Sequence, residues 1–276
     1  MEIGLVDRPI NIKDLTIDIP TRRETGFNPK QDIFPSDWQG IRDTLENYRS
    51  SGASSLFNHA VNIKILDPEQ DPTASFDQRN WDAIMGLINQ KRGNSRWSQV
   101  AEKAVQVKML SPTKFAEQFP NVNDYENMKN FFRTLFDSDP AAKARVLYDL
   151  KLLGHPLFDD LSLRPAAQEK LVEDIQQKRA NPSGLATVVG LILNAKVLFE
   201  QNNPVPTLDI AEWDTMKQRL EGHRQQKNWV NFASLGATLA LLSLPPLQIT
   251  EAAIHVPRSS NSFHARQVVL PLVRKF

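Results

Sequence analysis

Cysteine is absent from the 276 residues, which removes disulfides, thiolate metal ligands, redox switching and thiol nucleophiles at once. Glycine is scarce, with 11 residues, and none of them forms a glycine-rich phosphate loop. Neither sign of charge prevails. Thirty-three Lys and Arg face 32 Asp and Glu, so no overall field holds a phosphate backbone, and nucleic acid is not an expected partner. The five histidines, His59, His155, His223, His255 and His264, lack the one-turn spacing of a helical zinc site. No cofactor or metal is therefore expected. The amino terminus, MEIGLVDRPI, lacks the basic and apolar regions of a signal peptide, so a cytoplasmic location is the expectation. An apolar fraction of 41% beside a charged fraction of 24% is that of an ordinary folded protein.

What the chain does contain is self-similarity. Trp38, Trp81, Tyr125, Gln168 and Trp213 recur at intervals of 43 to 45 residues. Three positions after each marker stands Ile41, Ile84, Met128, Leu171 or Met216, and seven positions after it stands Leu45, Ile88, Phe132, Ile175 or Leu220. Marker, plus three and plus seven form one stripe of a helix. Arginine follows at plus eleven in four of the five units, as Arg49, Arg92, Arg179 and Arg224, with Phe136 in the third. A polar break then leads to a second apolar segment, opened by Trp97 in the second unit and Trp229 in the fifth. Four of these segments share a late lysine in the contexts NIKIL (Asn62–Leu66), QVKML (Gln106–Leu110), DLKLL (Asp149–Leu153) and NAKVL (Asn194–Leu198), where the fifth reads TLALL (Thr238–Leu242). Pro68, Pro112, Pro156, Pro204 and Pro245 stop the segments, since proline lacks a donor and disfavours helix in the residue before it. Ser36 with Gln39 and Asn123 with Glu126 have capping-box spacing.

The fold expected is all-α, a solenoid-like array of five helical hairpins with a period of about 44 residues, in the range of HEAT and armadillo-type arrays. The units lie near 36–78, 79–122, 123–164, 165–208 and 209–250. Residues 1–35 and 251–276 are expected as extended tails, with strand-like alternation at Leu15, Ile17 and Ile19 and at Val268–Val273.

Three features invite a functional reading. The loop Asp67, Glu69, Asp71 and Asp77 imitates a calcium loop, but Pro72 and Gln78 replace the glycine and the bidentate glutamate, so a solvated loop is expected. The repeated arginines Arg49, Arg92, Arg179 and Arg224 would form a basic ladder along an open array, against the plainer reading that cations near helix carboxyl ends complement the helix dipole. The run from Asn228 to Thr250 carries no charge, is long enough to span a bilayer, and has the small residues Ala233, Gly236, Ala237 and Ala240 on one face. Pro245 and Pro246 shorten it, which favours a buried helix. The last unit of an open array needs a polar outer face, yet this one is the least polar. The sequence therefore predicts a cover: the tail, a second copy, another protein or lipid. The candidate interaction surface is Trp229, Phe232, Leu235, Leu239 and Leu242 with the basic tail residues Arg258, Arg266, Arg274 and Lys275.

The expected function is a non-enzymatic scaffold that binds another protein, with oligomerisation through the last unit as a variant. A membrane-associated protein is the alternative, through 228–250 and the basic tail. An enzyme or nucleic-acid binder with a site assembled across units would need a cleft holding several titratable groups.

Overall fold

The computed structural model describes residues 26–244, apart from 51, 120, 182–183 and 200–205. Among them the regular elements are all helical, with no strand. Two short helices, α1 (Pro29–Asp32) and α6 (Pro112–Gln118), accompany five antiparallel pairs. The pairs are α2 (Pro35–Arg49) with α3 (Ala53–Leu66), α4 (Gln78–Gly93) with α5 (Trp97–Leu110), and α7 (Val122–Thr134) with α8 (Pro140–Leu153). They continue with α9 (Pro165–Arg179) and α10 (Leu185–Leu198), then α11 (Ile210–Gln225) and α12 (Trp229–Ser243). The strand-like segments expected in both tails lie outside the described residues.

Local chemistry sets the helix ends. Proline occupies the first turn of α2, α8 and α9, where its fixed φ suits the helix and its missing N–H is not needed. Asp77 and Asp209 cap α4 and α11 by accepting from Asn80 N and Glu212 N. The capping boxes expected at Ser36 and Asn123 do not form. Both helices start earlier, with Asp37 Oδ2 accepting from Phe34 N at 2.9 Å and Asn121 Oδ1 accepting from Asn123 N at 2.9 Å. Gly154, left-handed at φ 61°, ends α8.

The two helices of each pair differ in burial for a geometric reason. First helices bury one stripe, such as Ile41 and Leu45 in α2 or Met216 and Leu220 in α11, and are otherwise polar. Second helices are enclosed on most sides, and α10 and α12 each bury eight residues. The contacts explain why. Second helices touch one another in the order α3, α5, α8, α10, α12, and α12 then returns to α3 in the most extensive helix contact among the described residues. First helices follow the same rotation: α4 lies against α3 and α5, α7 against α5 and α8, α9 against α8 and α10, and α2 against α12 and α3. An inner ring of second helices is thus closed, with first helices outside.

Closure corrects the expectation of an open end needing a cover. The apolar face of α12 is covered by the first pair. A β-carbon at Gly236 of α12 would lie in van der Waals range of Leu66 and Phe27, and Phe27 N donates to Ser243 Oγ at 2.8 Å. Gly40 of α2 lies directly under the Trp229 indole, where any β-carbon would overlap the ring. The small-residue face that resembled a membrane helix contact is this close approach, with Ala233, Ala237 and Ala240 buried. No helix among the described residues is long and apolar enough to cross a membrane.

Candidate functional site

The repeated arginines are engaged in the seams of the ring. Arg92 pairs with Asp124 at 2.6 Å and donates to Gln118 O at 3.0 Å. Arg179 pairs with Glu212 at 2.9 Å and donates to Thr207 O. Arg224 pairs with Asp37 at 3.0 Å and donates to Asp32 O at 2.6 Å. In each case a guanidinium at the end of one outer helix grips a carboxylate just before the marker of the next, and a carbonyl five or six residues earlier. The last of the three closes the ring from the fifth pair to the first. Arg49 is the exception: it meets Glu46 of its own helix at 2.9 Å, and the carboxylate position opposite is Asn80, whose Nδ2 reaches only Arg49 O at 3.4 Å. Where Phe136 replaces the arginine, Ala167 replaces the acid, and that seam is held by Asp137 and Arg164 at 2.6 Å instead. These residues do not form a basic ladder.

The repeated lysines are likewise satisfied. Lys108 donates to Leu152 O and Leu153 O, and Lys196 to Leu242 O and Leu244 O, each reaching the carboxyl end of the next inner helix. Burial pushes both ammonium groups below their usual pKa. Of the candidate interaction surface, Phe232, Leu239 and Leu242 are buried inside the ring, and Trp229 and Leu235 are half-buried. Arg258, Arg266, Arg274 and Lys275 lie outside the described residues. The structure therefore does not gather this set into an exposed face. The acidic loop is local too: Asp67 and Asp71 accept from nearby backbone N–H groups, and among the described residues no three His, Asp or Glu converge on a metal position.

What the ring does create is a cleft. A cavity of about 640 Å³ opens between α5, α8, α10 and α12, a size typical of small-molecule sites. Polar groups converge on it from different helices: Glu102 from α5, Asp139 at the head of α8 with Arg145, Tyr148 and Asp149 along it, Asn194 from α10 and Thr238 from α12. A side arm reaches Ser98 and Gln99 of α5 and the apolar Phe131 and Leu135 beside α8. Leu191 and Leu193 add apolar wall.

The charges in this cleft are unevenly matched. Glu102 accepts from Lys103 Nζ at 3.1 Å and from Arg145 Nη2 at 3.3 Å. Lys103, almost fully buried, also donates to Asn58 Oδ1 and Gln106 Oε1, both at 3.2 Å, which ties α5 to α3. Among the described residues, by contrast, no donor bonds the Asp149 carboxyl. It keeps some solvent contact through the cleft while protein encloses it. Burial first, and then the nearby Glu102 charge, push its pKa up to about 8, with Arg145 and Lys103 opposing. The Tyr148 hydroxyl is pushed up as well, by burial and by Asp149.

Gly190 faces this cleft from the middle of α10, and a β-carbon there would meet nothing within 4 Å. Packing does not require glycine here, although glycine costs about 1 kcal/mol against alanine inside a helix. Its effect is to leave the cleft wide. A second hollow, of about 730 Å³, lies outside at the first seam around Arg49, Asp77, Arg79 and Asn80. Its charges are already paired, Arg49 with Glu46 and Arg79 with Asp77, so it offers no unmatched group.

The sequence carried a signal for Asp149 that the lysines obscured. Asn62, Gln106, Asp149, Asn194 and Thr238 open the five matching pentapeptides, and Asp149 is the one acid among them. Its fourth- and fifth-unit counterparts, Asn194 and Thr238, line the same cleft.

Against known proteins, the chain matches no family model, no curated protein and no solved structure.

Proposed function

We propose that the chain is a non-enzymatic binding protein in which five copies of one helical hairpin close into a ring, and that its recognition site is the inner cleft. This keeps the non-enzymatic binding role expected from the sequence and puts a small molecule in place of the protein partner expected there. The observation that carries it is Asp149, an acid that no donor among the described residues bonds, in a cavity whose other acids, Glu102 and Asp139, are hydrogen-bonded. Gly190 adds room at the cleft wall, with nothing near the place of a β-carbon.

The test is a screen of small molecules by thermal shift and amide chemical shifts, run in parallel on the parent and on Gly190→Phe, which fills the cleft from a position with free space. The reading expects at least one class of compound that raises the Tm of the parent, perturbs the amides of Asp149, Gly190 and Asn194, and fails with Gly190→Phe. Binding that Gly190→Phe leaves intact, or a screen in which no compound moves those amides, overturns it.

A further inference from the structure

The chemistry of the cleft narrows the kind of ligand, an argument that rests on the reading just given. The two cations that act on Asp149, Arg145 and Lys103, each bond Glu102. Arg219 of α11 lines the adjoining hollow on the other side of Gly190 and exerts no charge effect on Asp149. Beside Asp149, therefore, the unmatched group is an acid. Around Asp149, α5 contributes Glu102 and Lys103, and α8 contributes Arg145 and Tyr148, with Asp139 at its head capping the helix through Ala142 N. The facing walls of α10 and α12 are uncharged, with Asn194 and Thr238 as neutral polar groups, and the side arm is closed by Phe131 and Leu135. A ligand that satisfies this arrangement brings a positive charge to Asp149 and a short hydrocarbon part to Gly190, Leu191 and Leu193.

We infer that the inner cleft binds the ammonium group of a small organic amine, with Asp149 as its counter-ion and the α10 wall beside its hydrocarbon chain. Burying a cation requires an opposite charge and hydrogen-bond acceptors at close range. The Asp149 carboxylate supplies the charge, and the Asn194 side-chain carbonyl and the Thr238 hydroxyl supply further acceptors at the cleft wall. In the ligand-free protein near neutral pH the Asp149 carboxyl holds a proton, since its pKa stands at about 8. Binding of R–NH₃⁺ therefore releases one proton to solvent as the carboxylate forms. Affinity rises about tenfold per pH unit toward pH 8 and levels off above it, while an alkylammonium, titrating near pH 10, stays charged throughout.

The experiment uses the full chain, with n-butylammonium and the neutral isostere 1-butanol as probes. Chemical-shift titration gives Kd at pH 6 to 9, and calorimetry in two buffers of different ionisation heat counts the proton. The inference expects n-butylammonium to perturb the Asp149 and Gly190 amides, to bind at least about tenfold more tightly than 1-butanol at pH 8.5, and to release one proton at pH 6.5. Asp149→Asn removes the preference and the proton release, and its unchanged amide spectrum elsewhere certifies the fold. If both probes bind the cleft equally, or if Asp149→Asn binds n-butylammonium as the parent does, the cation assignment is wrong while the cleft remains a binding site. If neither probe moves the cleft amides but other compounds do, the cation assignment again fails alone. If no compound does, the binding reading fails with it.

Discussion

Two buried titratable groups push stability in opposite directions with pH. His59 lies in the first pair, its Nε2 donating to Ile41 O at 2.9 Å, its Nδ1 without a partner, and Tyr48 edge-on to its ring. Burial holds its pKa below the usual 6.5. The unfolded chain takes up that proton near pH 6.5 but the folded one resists, so stability is full above that point and declines as pH falls toward the folded value. Because Asp149 pulls the other way over the same range, this decline is read in an Asp149→Asn background, where the urea midpoint should fall between about pH 7 and pH 5.5. His59→Gln should remove this part of the slope, and equal slopes would mean that His59 titrates freely. Asp149 has a raised pKa, so its contribution is complete below the unfolded value near 3.9 and is lost as pH rises through about 8. Asp149→Asn should hold its midpoint between about pH 7 and 9 where the parent declines, and parallel curves would contradict the burial argument. Neither effect was legible in the sequence, because burial of a side chain depends on helices far away in the chain. Asp149 in particular stood in plain view within DLKLL, and only the ring turned its repeated position inward.

At the scale of elements, the helices were legible and the seams were not. The stripe of marker, plus three and plus seven is a local signal, and the prolines fall just beyond helix ends at Leu66, Leu110 and Leu153. The seams join residues 27 to 33 positions apart, or 187 for Arg224 and Asp37, and the acid preceding each marker has no meaning until its arginine is brought near. The arginines were therefore visible as a row but not as clasps. Their logic gives a prediction at the one seam where the acid is replaced by an amide. Asn80 already accepts from Asp77 N, a role that Glu212 and Asp37 fill while also pairing with arginine. Asn80→Asp should keep the cap and gain Arg49, stabilising the protein by about 1 kcal/mol, a Tm rise of about 2 to 4 °C. The gain should vanish in an Arg49→Met background, which a double-mutant cycle measures. A lower Tm for Asn80→Asp alone would show that the seam is not built as its counterparts are. Gly40 supplies the converse case. Gly40→Ala should destabilise the protein by displacing the Trp229 indole, whereas Gly86→Ala, with nothing near its β-carbon, should stabilise it by roughly 0.5 to 1 kcal/mol. Equal effects on chemical denaturation would sink the claim that α2 lies under Trp229.

For the whole molecule, closure changes what each part means. In an open array, an uncharged final helix demands a partner, and that reasoning located an interaction surface on α12. In the ring the same helix is an inner stave like the others, and the first pair is its neighbour. The sequence could not distinguish these cases, since an apolar face reads alike whether its cover is another molecule or residues 200 positions earlier. Charge drains from α10 and α12 because inner helices are surrounded, and the cleft exists because the staves do not fill the centre completely.

The central claim is that the first and last pairs meet, and the absence of cysteine makes it directly measurable. A β-carbon at Gly26 would lie 3.9 Å from Ser243 Cβ, within the range of a disulfide. The variant Gly26→Cys with Ser243→Cys, oxidised at low protein concentration and run without reductant, should form an intramolecular bond across most of the chain. A closed ring gives a faster-migrating monomer that reverts on reduction. An open array would hold these positions roughly 40 Å apart, at about 10 Å per helix pair, and monomer that keeps two free thiols under the same conditions would contradict the ring.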